Sequence, residues 1–173
     1  MLHLILGGAR SGKSRHAESI AKAQSYPVTY IATAQALDDE MQQRVQHHQK
    51  QRPSEWRLIE EPIALVEQLE RIDQPQQFVL VDCLTLWLTN LLFLDDPSCQ
   101  HIECEKLVEL LPQLQSDIIL VSNETGLGVV PMGEITRRFV DESGRLHQRL
   151  GQIANKVEFC VAGFPMLLKG EKS

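Results

Sequence analysis

The chain has 173 residues, of which 43% are apolar, and its 17 Lys and Arg against 23 Asp and Glu leave a net charge of −6. That length suits one domain over residues 1–173, and the apolar fraction excludes a disordered chain. The acidic balance argues against a nucleic-acid backbone as partner, while leaving open nucleotides, which backbone amides and a few cations can hold.

In chain order, the apolar run Leu2–Leu6 reads as a buried strand ending at a glycine loop, and Ser14–Ala23 as the helix after it. Val28–Ala32 is a second strand behind the turn signal Ser25-Tyr26-Pro27. Asp38–Gln51 reads as a helix that Pro53 ends. Trp56–Ile59 is a short strand, Ile63–Ile72 a helix, and Phe78–Asp82 a strand closed by an acid. Leu84–Leu94 is a buried or interface helix, because Thr85, Thr89 and Asn90 break it and a membrane span needs ~20 apolar residues. Asp95–Gln100 reads as a loop, Ile102–Leu114 as a helix and Ile118–Ser122 as a strand. Met132–Asn155 is helical with an interruption expected near Gly144, and Val157–Ala162 is the last clear strand.

Strands alternating with helices predict a single-domain α/β fold of the P-loop NTPase (RecA-like) type, three layers around a mostly parallel sheet. Ligands in such folds sit at the carboxyl ends of the strands. The glycine loop, Ala32-Thr33-Ala34, Asp82 and Asn123-Glu124 all follow predicted strands and should share one sheet edge. Cys83, Cys99, Cys104 and Cys160 form no C-x-x-C pair and no zinc spacing, so they read as reduced thiols of a cytoplasmic protein. The apolar N-terminus has no basic leader and runs straight into the glycine loop, as a core strand rather than a signal peptide.

Gly7-Gly8-Ala9-Arg10-Ser11-Gly12-Lys13-Ser14 meets the spacing G-x-x-x-x-G-K-[ST] between a strand and a helix. Glycines let the backbone curl so that amides face phosphates. Lys13 reaches the β and γ phosphates, and Ser14 can hold Mg²⁺. The helix that starts there adds its positive end. Asp82, at the end of a buried strand, is the natural metal partner, directly or through water, although many strands end in Asp. Asp141-Glu142-Ser143-Gly144 and Asn155-Lys156-Val157-Glu158 imitate switch-GTPase motifs, but the first lies inside a helical pattern and the second precedes a strand.

In the segment Asp38–Pro53, Leu37, Met41 and Val45 share a helical face at ~100° per residue. His48 falls within ~20° of Met41, and His47 is swung ~120° away. Arg44 and Arg52 flank His48 one turn before and after. Two cations beside an imidazole disfavour its protonation and keep it nucleophilic. The same stripe also suits a core histidine beside two solvated arginines.

Across nearly its whole length the chain resembles the bifunctional adenosylcobinamide kinase / adenosylcobinamide-phosphate guanylyltransferase family of cobalamin biosynthesis. The resemblance rests on Gly7–Arg15, Tyr30-Ile31-Ala32-Thr33-Ala34, Asp38–Met41, Arg44–His48, Arg52-Pro53 with Trp56, and Glu60-Glu61-Pro62. It continues through Asp82–Thr85, Thr89–Leu92, Ser122–Pro131, Gly144-Arg145-Leu146 and Ala162–Pro165.

The resemblance implies two reactions. ATP or GTP phosphorylates the aminopropanol hydroxyl of adenosylcobinamide; then GTP guanylylates an enzyme histidine, which passes GMP to the new phosphate and gives adenosylcobinamide-GDP. It puts the histidine at His48, and nucleotide contacts at Gly7–Ser14, Ala32, Thr33, Ala34, Gln49, Lys50, Gln51, Arg52, Glu60 and Asp82. It also implies a homotrimer, whose contacts Leu84–Leu94 would suit as well as a purely internal helix would. His147 departs from the family pattern, which carries Asn after Gly-Arg-Leu. Two rival readings are a small-molecule kinase with no histidine intermediate and a nucleotide-binding regulatory module; the first predicts phosphorylation without labelled enzyme, the second no phosphate acceptor.

Overall fold

The computed structural model describes residues 1–35, 53–96 and 98–171. The expected helix over 38–51, with His47, His48, Gln49, Lys50, Gln51 and Arg52, lies outside them. Seven strands form one sheet: β1 Leu2–Gly7, β2 Val28–Ala32, β3 Arg57–Glu60, β4 Phe78–Asp82, β5 Asp117–Asn123, β6 Lys156–Val161 and β7 Phe164–Lys169. Their order is β3-β2-β4-β5-β1-β6-β7. All pairings are parallel except that of β6 with β7.

The helices are α1 Lys13–Lys22, α2 Leu65–Ile72, α3 Leu84–Leu92, α4 Cys99–Leu110 with a 3₁₀ turn at Leu111–Gln113, and α5 Glu134–Ile153. The central strands are buried on both faces, which is why they read as continuous apolar runs. Leu2, Leu4 and Leu6 of β1 join the larger core with α2, α3, α4 and α5, whereas Ile5 packs with Ala17 and Ala21 of α1 on the other face. The alternation follows from the two-residue period of a strand, and it yields the expected three layers.

Three expectations need correction. The sheet has a further strand, β7, beyond the one expected to be last; its Pro165 is tolerated because β7 is an edge strand and no outer neighbour needs that amide. Helix α5 runs through Gly144 without a break. A single helical glycine costs about 1 kcal/mol, less than α5 gains by burying Leu146 and Leu150 against the sheet. The loop expected over Asp95–Gln100 already turns into helix at Cys99. Helix α3 proves internal, with Leu84, Trp87, Leu88 and Leu91 buried in the chain's own core.

Candidate functional site

The glycine loop leaves β1 at Gly7 and enters α1 at Lys13. Gly7 is packed so closely that a Cβ there would meet Ser11 Oγ at 2.5 Å and the Cys160 carbonyl oxygen at 2.7 Å. Gly12 caps α1 with φ 96°, a left-handed conformation that side chains resist. Against Gly12 lies the β6–β7 turn: a Cβ on Gly12 would meet Gly163 Cα at 3.0 Å. The Gly163 amide donates to the Ser11 carbonyl at 2.8 Å. The C-terminal hairpin therefore props the loop from behind. Lys13 is buried, and its Nζ donates to the Gly8 carbonyl at 3.1 Å. A buried ammonium folded back inside a glycine loop at a helix N-terminus is an arrangement that favours an anion.

Beside the loop runs the carboxyl edge of β5 and β4. β5 lies between β4 and β1, with Asn123 in register with Gly7 and Val121 with Asp82. The Tyr30 hydroxyl donates to Asp82 Oδ2 at 3.0 Å. Thr33 is fully buried; its hydroxyl donates to the Cys83 carbonyl at 2.7 Å and accepts from the Cys83 amide at 2.9 Å. The Asn90 side-chain amide donates to the Thr33 and Pro62 carbonyls at 2.9 and 3.0 Å, tying α3 to the ends of β2 and β3. Burial, reinforced by the Asp82 carboxylate, pushes the Cys83 thiol up to about 11, so it is no nucleophile at neutral pH.

A second polar layer lies behind the first. The Asn123 amide donates to Thr85 Oγ1 at 2.7 Å, and Thr85 Oγ1 is 3.3 Å from Ser122 Oγ. Ser122 Oγ is 2.8 Å from His147 Nε2, on α5. On the ring's other side, His147 Nδ1 faces Glu124 Oε2 at 3.6 Å, and Glu124 Oε1 accepts from the Gly126 amide at 2.5 Å. The Glu124 amide itself donates to the Gly7 carbonyl at 3.0 Å. Burial lowers the His147 pKa, with Glu124 pulling the other way.

Among the described residues, buried polar atoms at this edge remain unsatisfied: Ser11 Oγ in the loop, Asn123 Oδ1 beside it and His147 Nδ1 behind it. The unmet Ser11 and Asn123 atoms, in and beside the loop, fit a polar ligand there. A phosphate chain with a hydrated Mg²⁺ is compatible with this donor set, since Ser14 and Asp82 offer oxygen ligands, the kind that ion prefers. Glu60 ends β3, exposed, four strand positions from β1.

Sequence reasoning placed the loop, Ala32–Ala34 and Asp82 on one edge, and the fold brings them there. It missed the bracing role of Tyr30, Thr85, Asn90 and Ser122 behind them. Polar residues inside apolar runs were the available signal, but their partners are 25 to 57 residues away in the chain.

Residues 3–168 match the family model described as cobinamide kinase / cobinamide phosphate guanyltransferase. The chain is 57% identical to the bifunctional adenosylcobalamin biosynthesis protein CobP of Pseudomonas aeruginosa over 171 residues, 99% of each chain. It is 39% identical to the bifunctional adenosylcobalamin biosynthesis protein CobU of Escherichia coli, covering 98% of this chain and all of the other. Among solved structures it is similar to a prototypical ATPase from the type III secretion system of pathogenic bacteria. That likeness has a TM-score of 0.53 and 12% identity, and covers 91% of this chain and 50% of the other; it speaks to the P-loop fold alone.

Proposed function

The chain belongs to the cobinamide kinase / cobinamide phosphate guanyltransferase family, and from that premise we propose how its own residues divide the two reactions. It is a bifunctional enzyme of adenosylcobalamin biosynthesis, a kinase and a guanylyltransferase. The observation that carries the site assignment is the glycine loop closed on buried Lys13 at the sheet edge that also holds Asp82.

In the kinase step, the loop amides of Gly7–Ser14 and the Lys13 ammonium hold the β and γ phosphates of ATP or GTP in line with the acceptor hydroxyl. Ser14 and Asp82 would hold Mg²⁺, which would supply positive charge to offset that of the phosphate oxygens. In the guanylyl step, an imidazole nitrogen of His48 bonds to the α phosphorus as the bond to the bridging oxygen breaks and pyrophosphate leaves. The substrate's phosphate oxygen then displaces the histidine. Ala32, Thr33, Ala34, Gln49, Lys50, Gln51, Arg52 and Glu60 complete the nucleotide contacts in this reading.

The reading includes a cytoplasmic homotrimer. Among the described residues no helix is long and apolar enough to cross a membrane. Support for association comes from β7, where Phe164, Met166 and Leu168 are exposed on alternate positions of an edge strand. Light scattering should give three times the chain mass.

The test is labelling with α-labelled GTP. The enzyme should take up acid-labile, base-stable label, and His48→Asn should abolish it while phosphorylation of adenosylcobinamide persists. His47→Asn should weaken labelling only in part. Label retained in the His48 variant would overturn the assignment, and a wild-type enzyme that phosphorylates without ever labelling would favour the plain kinase.

A further inference from the structure

The phosphoryl acceptor is an alcohol, and transfer to it releases a proton; among the described residues, those assigned above to the kinase step hold the phosphates and the metal, and none is assigned to take that proton. Asp82 already accepts from Tyr30 and is assigned to the metal. Glu61 Oε1 caps the amides of Ile63 and Ala64 at 3.0 and 2.8 Å. Glu60 ends β3, at the far margin of the sheet from the loop. Glu124 differs from all three. It follows β5, the strand next to β1, and its amide is bonded to the first residue of the glycine loop.

We propose that Glu124 is the general base of the kinase step and that His147 is its positioning residue. The inference rests on the kinase half of the assignment, not on the histidine intermediate. Three features carry it. The Gly126 amide clamps Oε1, so Oε2 is the reactive oxygen, on a side chain one-fifth exposed. Next, His147 is 93% buried, and its Nδ1 faces that oxygen with no hydrogen-bond partner. Finally, the other end of the ring is anchored, through Ser122 to Thr85, which in turn accepts from the Asn123 amide.

The carboxylate orders the tautomer. An ionised Glu124 only accepts, so the ring proton belongs on Nδ1, aimed at Glu124, and Nε2 then accepts from the Ser122 hydroxyl, whose oxygen lies 3.3 Å from Thr85 Oγ1. A hydrogen bond between His147 and Glu124 requires the 3.6 Å separation to shorten by about half an ångström. A carboxylate oxygen has two lone pairs: His147 directs one, and the other meets the acceptor. During transfer, the hydroxyl oxygen bonds to the γ phosphorus as the bond to the β–γ bridging oxygen breaks. The electron pair leaves on the nucleoside diphosphate, and the hydroxyl proton passes to Glu124 Oε2. His147 stays neutral throughout, in keeping with its lowered pKa.

The experiment measures cobinamide phosphorylation at saturating Mg-GTP in the full-length protein, alongside GTP affinity and melting temperature. Glu124→Gln should lower kcat about 100-fold or more, with GTP affinity within about threefold of wild type. His147→Leu should lower kcat about tenfold at unchanged KM, and His147→Asn should recover most of that loss because its amide can donate in the same place. A Glu124→Gln kcat within about threefold of wild type overturns the proposal. So does a loss of GTP affinity that accounts for the whole defect, which would make Glu124 a support of the loop. Labelling from α-labelled GTP, scored on the same wild-type preparation, reports the histidine intermediate separately.

Discussion

Gly12→Ala tests whether the C-terminal hairpin supports the phosphate loop. Gly12 sits at φ 96°, and an added Cβ would lie 3.0 Å from Gly163 Cα. Holding alanine in a left-handed conformation costs roughly 1–2 kcal/mol. The close neighbour is backbone, so relief requires moving the β6–β7 turn, which strains the bond from the Gly163 amide to the Ser11 carbonyl. Losing that bond adds about 1 kcal/mol. The sum, roughly 2–3 kcal/mol, corresponds to a fall of about 5–10 °C in melting temperature for a domain of this size. The assay is thermal unfolding by circular dichroism, paired with a fluorescent-GTP titration. Affinity should fall as well, because the loop amides no longer converge. Gly8→Ala is the control: nothing lies within 4 Å of its added Cβ, so its melting should stay within about 2 °C of wild type. If both variants melt with the wild type, the hairpin does not brace the loop and the reasoning fails.

Lys13→Ala should lower both activities at least about 100-fold, because one buried cation serves every triphosphate bound in the loop; an unaffected activity would require a second nucleotide site. Asp82→Asn should keep the fold and shift the Mg²⁺ titration of the kinase to higher concentration, which an unchanged titration would refute. Burial lowers the His3 pKa from 6.5 to about 4 despite the Glu158 carboxylate beside it. Between those values the unfolded chain binds the proton and the folded chain does not, so stability is full above pH 6.5 and declines as pH falls toward 4, by up to about 3 kcal/mol. His3→Gln should flatten that decline in urea unfolding measured from pH 7 to 4; a parallel decline would place its source elsewhere. Gly144→Ala, with open space at its Cβ inside α5, should raise the melting temperature by about 1–3 °C, and a fall would show that the helix uses the missing side chain.

The elements that sequence reasoning located well are those whose signal is local. Phe78–Asp82 and Val28–Ala32 coincide with their strands because a strand buried on both faces is a predominantly apolar, β-branched and aromatic run. β7 was missed because Phe164-Pro165-Met166-Leu167-Leu168 shows no buried face of its own and carries a proline. Only pairing with β6 makes it a strand. The break expected at Gly144 reflected helix propensity alone, which the packing of Leu146, His147 and Leu150 overrides. His147 was visible as an unusual residue, yet its tie to Ser122 and its position facing Glu124 were not.

By itself the sequence determined the strand–loop–helix phosphate site, the α/β class and the family, because glycine spacing, apolar period and ordered motifs are properties of neighbouring residues. The tertiary structure alone decided which strand ends stand side by side. It put β5 between Asp82 and the loop, Glu124 against Gly7, and the Gly163 turn behind Gly12. Those contacts join residues 39 to 151 positions apart, and they follow from the order in which parallel strands pair, which no local period encodes.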